Sequence, residues 1–246
     1  MSHGIRDRRR WPRTIGPVRC EECPFSHSCV GRGGIRSQLS EHCVDGRPSA
    51  CGAGNYLVSR GDRLTDVFMI RKGVVKSRSI TSDGRERING FHFPGELAGL
   101  EAIHSGRHSS DIVALEYSEC CRLSFEQVQF LGDRVPAVQR QLLALMSEQL
   151  SRSISIMGDL TAEERVAIFL LDIRRRLPAS RSHEDGFHLV MSRTDMASYL
   201  RLAAETVSRI LGRFRERGWV DIAGRNLRSI NTQSLERLSR DASVGD

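Results

Sequence analysis

The chain has 246 residues, 39% of them apolar and 27% charged, and a formal net charge of +7. That length supports one large or two modest domains with cores of their own, and no run comes near the ~18 consecutive apolar residues of a membrane span, so no membrane association is expected. The positive balance raises the expectation of a polyanionic partner such as nucleic acid.

In chain order, the first stretch lacks a regular pattern. Arg6, Arg8, Arg9, Arg10, Arg13 and Arg19 crowd the N-terminus. No apolar run follows them, so it does not read as a secretory leader, and a cytoplasmic chain is expected. Residues 1–35 form an arm with little apolar periodicity and with Cys20, Cys23 and Cys29 in a C-x2-C-x5-C spacing. A CxxC pair can grip one metal centre from a single turn, and a third thiolate on a longer loop reaches another face of it. A fourth ligand would close a site of the kind that holds zinc or an iron–sulfur cluster, and spacing does not choose between the two. The chain has seven cysteines, the others being Cys43, Cys51, Cys120 and Cys121. An odd number without an export signal argues against a disulfide framework and for metal or redox chemistry. His27 and His42 are read as solvated histidines.

Residues 36–133 read as a small antiparallel barrel or roll. Val67–Ile70, the Lys72-Gly73 turn, Val74–Ile80, the Asp83-Gly84 hairpin signal and Phe91–Phe93 before Pro94-Gly95 follow one another at strand spacing. Cys120 and Cys121 are neighbours on a strand and should face opposite sides of it.

Residues 134–160 read as one long helix. Pro136 suits its first turn. Leu142, Leu143, Leu145, Met146, Leu150, Ile154, Ile156 and Met157 make more than one narrow stripe. One face can cover the roll and the other can meet a partner helix, giving a homodimer. Ala162–Arg176 is a second amphipathic helix, ended by Pro178, with a polar loop to Gly186.

The last segment, 161–246, carries the most specific pattern. Ser192 can cap a helix through Leu200, with Asp195 in its first turn. A turn at Arg201-Leu202-Ala203 leads to a second helix. Val207, Ile210, Leu211 and Phe214 fall on one of its faces; Glu205, Ser208, Arg209, Gly212 and Arg213 fall on the other. A core-packed helix with short and Arg/Glu side chains outward suits the major groove, where Arg can donate to guanine and Glu can accept from cytosine. Trp219–Ile222, a turn at Ala223-Gly224-Arg225-Asn226 and Leu227–Ile230 read as a hairpin, completing a winged module. Function is therefore expected to be DNA-binding transcription regulation.

The stretch Tyr199-Leu200…Glu205-Thr206-Val207-Ser208-Arg209-Ile210-Leu211-Gly212-Arg213-Phe214 resembles the recognition motif of the Crp–Fnr superfamily, and within it the oxygen-responsive fumarate and nitrate reduction regulators. The resemblance implies an α+β fold: a cysteine arm, a jelly roll of the cyclic-nucleotide-binding kind, a dimerisation helix and a winged helix-turn-helix. It implies base reading by Glu205, Ser208 and Arg209, with Arg213 beside them, on double-stranded DNA carrying a palindrome resembling TTGAT-N4-ATCAA. It further implies a [4Fe–4S] cluster held by Cys20, Cys23, Cys29 and Cys121, converted by oxygen to [2Fe–2S] with loss of the dimer. The hairpin tip Asp83, Gly84 and Arg85 corresponds to a tip that touches RNA polymerase in the family; read alone it is only a tight turn. Cys43 and Cys51 have no family counterpart and read as ordinary thiols. Pro24 and Ser28 flank the ligands where neighbours tune access. Arg201 stands where the turn is usually Gly, which in a left-handed conformation costs on the order of 1 kcal/mol. Ala203 stands where a Ser or Thr cap is expected, a loss of roughly 0.5–2 kcal/mol.

Other readings stand beside this one. Gly95-Glu96-Leu97 resembles the start of a cyclic-nucleotide phosphate cassette, but His108-Ser109 occupies the place of its phosphate-binding Arg-Ser pair, with Arg107 one residue away. A haem-bound nitric-oxide sensor is a further alternative on this fold. An iron–sulfur redox protein is one of another class; it leaves the winged module unexplained, and no nucleophile, acid/base pair or Gly-rich phosphate loop marks an enzyme.

Overall fold

The structure is a computed structural model and describes residues 13–14, 23, 25, 29, 46–177 and 187–241. The chain divides into two compact units, residues 1–83 with 89–146 and residues 84–88 with 147–246.

The strands of the N-terminal half are β1 (Arg13–Thr14), β2 (Arg47–Cys51), β3 (Tyr56–Val58), β4 (Asp66–Lys72), β5 (Val75–Ile80), β6 (Glu86–His92), β7 (Leu97–Ala98), β8 (Asp111–Ala114) and β9 (Ser118–Ser124). They form two sheets, ordered β1-β2-β9-β4-β7 and β3-β8-β5-β6, the antiparallel roll that the glycine-punctuated strands predict. At the β4–β5 turn Gly73 has φ +79°, and a Cβ there would lie 2.5 Å from the Tyr117 carbonyl oxygen. Glycine is thus required by both backbone conformation and space.

Strand β4 explains the layering. Val67, Phe68, Met69 and Ile70 are all buried, because this central strand has a core on each face. Phe68 and Ile70 join Cys51, Leu57, Val75, Ile112, Ala114 and Cys120 inside the roll. Val67 and Met69 join Leu97, Leu123, Val128, Leu131, Val135 and Val138 on the opposite side.

That second core is covered by helices. α1 (Phe125–Arg134) is one the sequence reading does not contain; its N-cap Ser124 accepts from the Gln127 backbone N–H. α2 (Pro136–Met157) begins at the proline that marks it in the sequence. Val138 is buried in this core, and Leu142 and Leu145 pack against it. Leu143, Met146, Leu150 and Ile154 instead stand 58%, 37%, 61% and 59% exposed along a second line. Both expected apolar faces are present, and one of them is uncovered in the single chain.

The C-terminal unit contains α3 (Ala162–Arg176), β10 (Phe187–His188), α4 (Arg193–Leu200), α5 (Ala204–Glu216), β11 (Val220–Ala223), β12 (Asn226–Ile230) and α6 (Thr232–Asp241). Thr161 and Glu164 form a reciprocal capping box at the start of α3. The wing is a three-stranded sheet ordered β10-β12-β11. α6, absent from the sequence reading, packs against α3 and buries Leu235. Pro178 and the loop to Gly186 lie outside the described residues, as do Cys20, Pro24, His27, Ser28, His42 and Cys43.

Candidate functional site

Two sets of residues are candidates for the chemistry. The first is on α4 and α5. Ser192 caps α4: its hydroxyl accepts from the Asp195 N–H at 3.0 Å, and its own N–H donates to the Asp195 carboxylate at 3.0 Å. α4 ends at Arg201 in the left-handed region, φ 60° and ψ 40°. It is the single positive-φ non-glycine residue among those described, at the position where the sequence lacks the usual glycine. Leu202 N–H donates back to the Ala197 carbonyl at 2.9 Å, closing the turn. α5 follows with Ala203 as its N-cap and no side-chain cap hydrogen bond, the second departure expected from the sequence.

Val207, Ile210, Leu211 and Phe214 are buried. Phe214 packs on Trp219 of the wing at 5.4 Å between ring centroids. This anchoring leaves Glu205, Ser208 and Arg209 exposed together on the outer face. Around Gly212, no atom lies within 4 Å of where a Cβ would sit. Arg213 sits differently. Its guanidinium is paired at 2.7 Å with Glu163 of α3, whose other oxygen lies 3.5 Å from Arg217. No local pattern connects α3 to this face, so the sequence reading misses Glu163. At the start of α4, Arg193 donates to the Gly224 carbonyl of the wing turn at 2.7 Å. Burial, and then the Arg225 guanidinium, pull Arg193 below the usual arginine range.

The second set is on β9 and the arm. Cys121 pairs in register with Pro48 of β2 and Met69 of β4, while Cys120 pairs with Ser49 and Ile70. The two thiols face opposite sides of the sheet. Cys120 is 2% exposed within the roll, near Cys51. Burial, then the neighbouring Cys121 and Cys51 thiols, push Cys120 up to about 12. Burial alone pushes Cys51 up to about 11. Both are therefore neutral thiols at ordinary pH. Cys121 is half-buried on the other face, where Cys29 of the arm packs against the same apolar cluster. Gly46 leaves room beside it: a Cβ there would be 3.7 Å from the Cys121 Sγ. Among the described residues, no three His, Cys, Asp or Glu side chains are placed to hold a metal ion.

His108 is 2% exposed and turned inward, its Nδ1 3.1 Å from the Glu101 carboxylate. Arg107 is exposed and donates to the Gly61 carbonyl at 2.8 Å. Asp83, Gly84 and Arg85 form the exposed tip between β5 and β6, with Gly84 at φ +81°; the Thr81 hydroxyl donates to Asp83.

A two-sheet antiparallel roll and a winged helix-turn-helix with a polar outer helix face together define a one-component DNA-binding regulator. The comparisons agree. A Crp-like helix-turn-helix domain matches residues 164–239 and a cyclic nucleotide-binding domain matches residues 50–134. The chain is 35% identical over 231 residues to the fumarate and nitrate reduction regulatory protein of Escherichia coli strain K12, covering 90% of each chain. The fumarate nitrate reduction regulatory protein of Klebsiella oxytoca is 34% identical, with 92% of each chain covered. Among solved structures, FixK2 from Bradyrhizobium japonicum aligns with a TM-score of 0.70 and 30% identity, over 78% of this chain and 96% of that one. The CRP-family regulator TTHB099 from Thermus thermophilus shares the fold, with a TM-score of 0.63 at 19% identity over 78% of this chain and 96% of that one. The chain belongs to the Crp/FNR family of DNA-binding transcription regulators. No helix among the described residues is long and apolar enough to cross a membrane.

Proposed function

We propose that this regulator is controlled by a [4Fe–4S] cluster held by Cys20, Cys23, Cys29 and Cys121, and that the cluster state governs dimerisation and operator binding in the cytoplasm. The observation that carries the reading is the division of the Cys120-Cys121 doublet. One thiol is sealed and neutral inside the roll; the other is half-buried on the face where Cys29 packs. The donor set suits the group: Cys23, Cys29 and Cys121 are half-buried cysteines, and thiolates are the ligands an iron–sulfur cluster needs. Such a cluster supplies a centre that oxygen or redox change can dismantle.

The chain's own residues carry the rest. Leu143, Met146, Leu150 and Ile154 of α2 form the seam on which a second copy pairs. Pairing presents two α5 helices to a palindrome resembling TTGAT-N4-ATCAA, with Glu205, Ser208 and Arg209 toward base edges. Arg213, held by Glu163, contributes positive charge at that surface. Asp83, Gly84 and Arg85 offer a contact to RNA polymerase.

An absorbance spectrum of anaerobically purified protein, before and after air, tests the reading. A broad visible band that bleaches in air, with iron and sulfide present in comparable amounts, is expected. A colourless protein containing zinc, or a sharp haem band, overturns it.

A further inference from the structure

Phe25 lies between Cys23 and Cys29 in the sequence, and its ring packs over the turn joining β6 to β7. Gly95 in that turn has φ +93°, and a Cβ added there would sit 3.0 Å from Phe25 Cδ1 and 3.2 Å from Cε1. The ring therefore fills the space that the missing side chain leaves, and the half-buried Phe25 is seated on backbone. The turn itself is fixed. Gly95 N–H donates to the Ile70 carbonyl at 2.8 Å, and Ile70 N–H donates to the Glu96 carbonyl at 2.9 Å.

The location is what gives the contact meaning. Leu97, Met69 and Cys121 are in register across β7, β4 and β9. Gly95 is two residues along from Leu97, so it lies on the order of 12 Å from Cys121, from two interstrand spacings and two residue rises. The four residues from Phe25 to Cys29 span up to about 14 Å. A ring seated at Gly95 thus keeps Cys29 within reach of Cys121.

We propose that Phe25 is a positioning residue that docks the cysteine arm on the roll in the absence of any metal, using the notch at Gly95 to hold Cys23 and Cys29 near Cys121. Docking raises the effective concentration of the arm thiols at Cys121 and removes ordering entropy from cluster assembly. This rests on the proposed cluster reading for its purpose, but the docking itself does not require a cluster.

The test is amide hydrogen exchange on the full-length apoprotein, reduced and anaerobic, reading peptides that cover Cys23 to Cys29. Phe25→Ala should speed exchange there roughly fivefold to tenfold, the factor carried by about half of a full Phe burial. Phe25→Leu should stay near wild type. Gly95→Ala should match Phe25→Ala, because its Cβ displaces the ring, while exchange in β4 and β9 reports that the roll remains folded. In the iron-loaded protein, Phe25→Ala should release iron to a chelator faster by a similar factor. Equal exchange in wild type and Phe25→Ala overturns the docking. A wild-type protein that takes up no iron overturns the cluster reading and leaves the exchange comparison to decide the docking alone.

Discussion

The two regions proposed to carry this regulator's chemistry are built on different length scales. On the winged module, Glu205, Ser208 and Arg209 fall on one exposed face of one helix, set by the burial of Val207, Ile210, Leu211 and Phe214 between them. On the roll, Cys29 and Cys121 meet one apolar cluster although most of the roll separates them in sequence. A local site is fixed as soon as its helix is anchored. An assembled site depends on which face of a strand the rest of the fold leaves open. Errors at the two sites should therefore look different. A changed side chain on α5 should alter one contact, whereas a changed thiol on β9 should either remove the site or leave it untouched according to the face it occupies.

The largest contrast lies within the Cys120-Cys121 doublet. Cys121→Ser should abolish iron and sulfide content under anaerobic purification, because a serine hydroxyl is a hard, weakly acidic substitute for thiolate. Cys120→Ser should keep both. Loss with Cys120→Ser and retention with Cys121→Ser would reverse the faces assigned here.

In the apoprotein the same contrast should appear as thiol reactivity. With burial raising the pKa from an ordinary 9.0 to about 12 at Cys120 and about 11 at Cys51, both should alkylate more slowly than an unperturbed thiol, Cys120 the slower of the two. Mass spectrometry after brief iodoacetamide treatment should find Cys121 modified before Cys120 and Cys51. The shifts also set a pH dependence. The unfolded thiols ionise near 9.0, while the folded ones keep their protons to about 11 and about 12. Their contribution to stability is fully present below pH 9.0 and is lost as pH rises through that window. Thermal melts of the apoprotein should fall across it, and a flat profile would show that the thiols are not sealed.

On the local site, Arg209→Ala should remove roughly 1–3 kcal/mol of base discrimination per half-site. Binding to scrambled DNA should change less. Equal losses on both sequences, by fluorescence anisotropy, would assign Arg209 to the phosphate backbone.

The smallest effects concern the turn that sets α5. Ala203→Ser supplies the missing cap and should stabilise the module by roughly 0.5–2 kcal/mol. Arg201→Gly relieves a left-handed non-glycine residue and should contribute about 1 kcal/mol. Chemical denaturation should show both, and the two should not be strictly additive, because the residues share one turn.

Local features are legible from neighbouring residues alone. Ser192, the Arg201-Leu202-Ala203 turn and the apolar stripe of α5 mark a helix-turn-helix because caps and 3.6-residue periodicity involve neighbours only. The Asp83-Gly84 and Lys72-Gly73 turns marked the roll for the same reason, and Pro136 marked the start of α2. Alternation along a strand also required Cys120 and Cys121 to face apart. It could not say which of them faced the roll interior; packing of β4 and β9 between two cores decided that. α1 and α6 are not legible in the sequence because both are short. Their buried apolar side chains, Val128, Leu131 and Leu235, acquire meaning only against the roll and α3. Glu163 reaching Arg213, and Phe25 filling the notch at Gly95, are likewise contacts between separate elements. No spacing rule announces them, because an ion pair or a close approach of ring to backbone exists only once the chain has brought distant segments together.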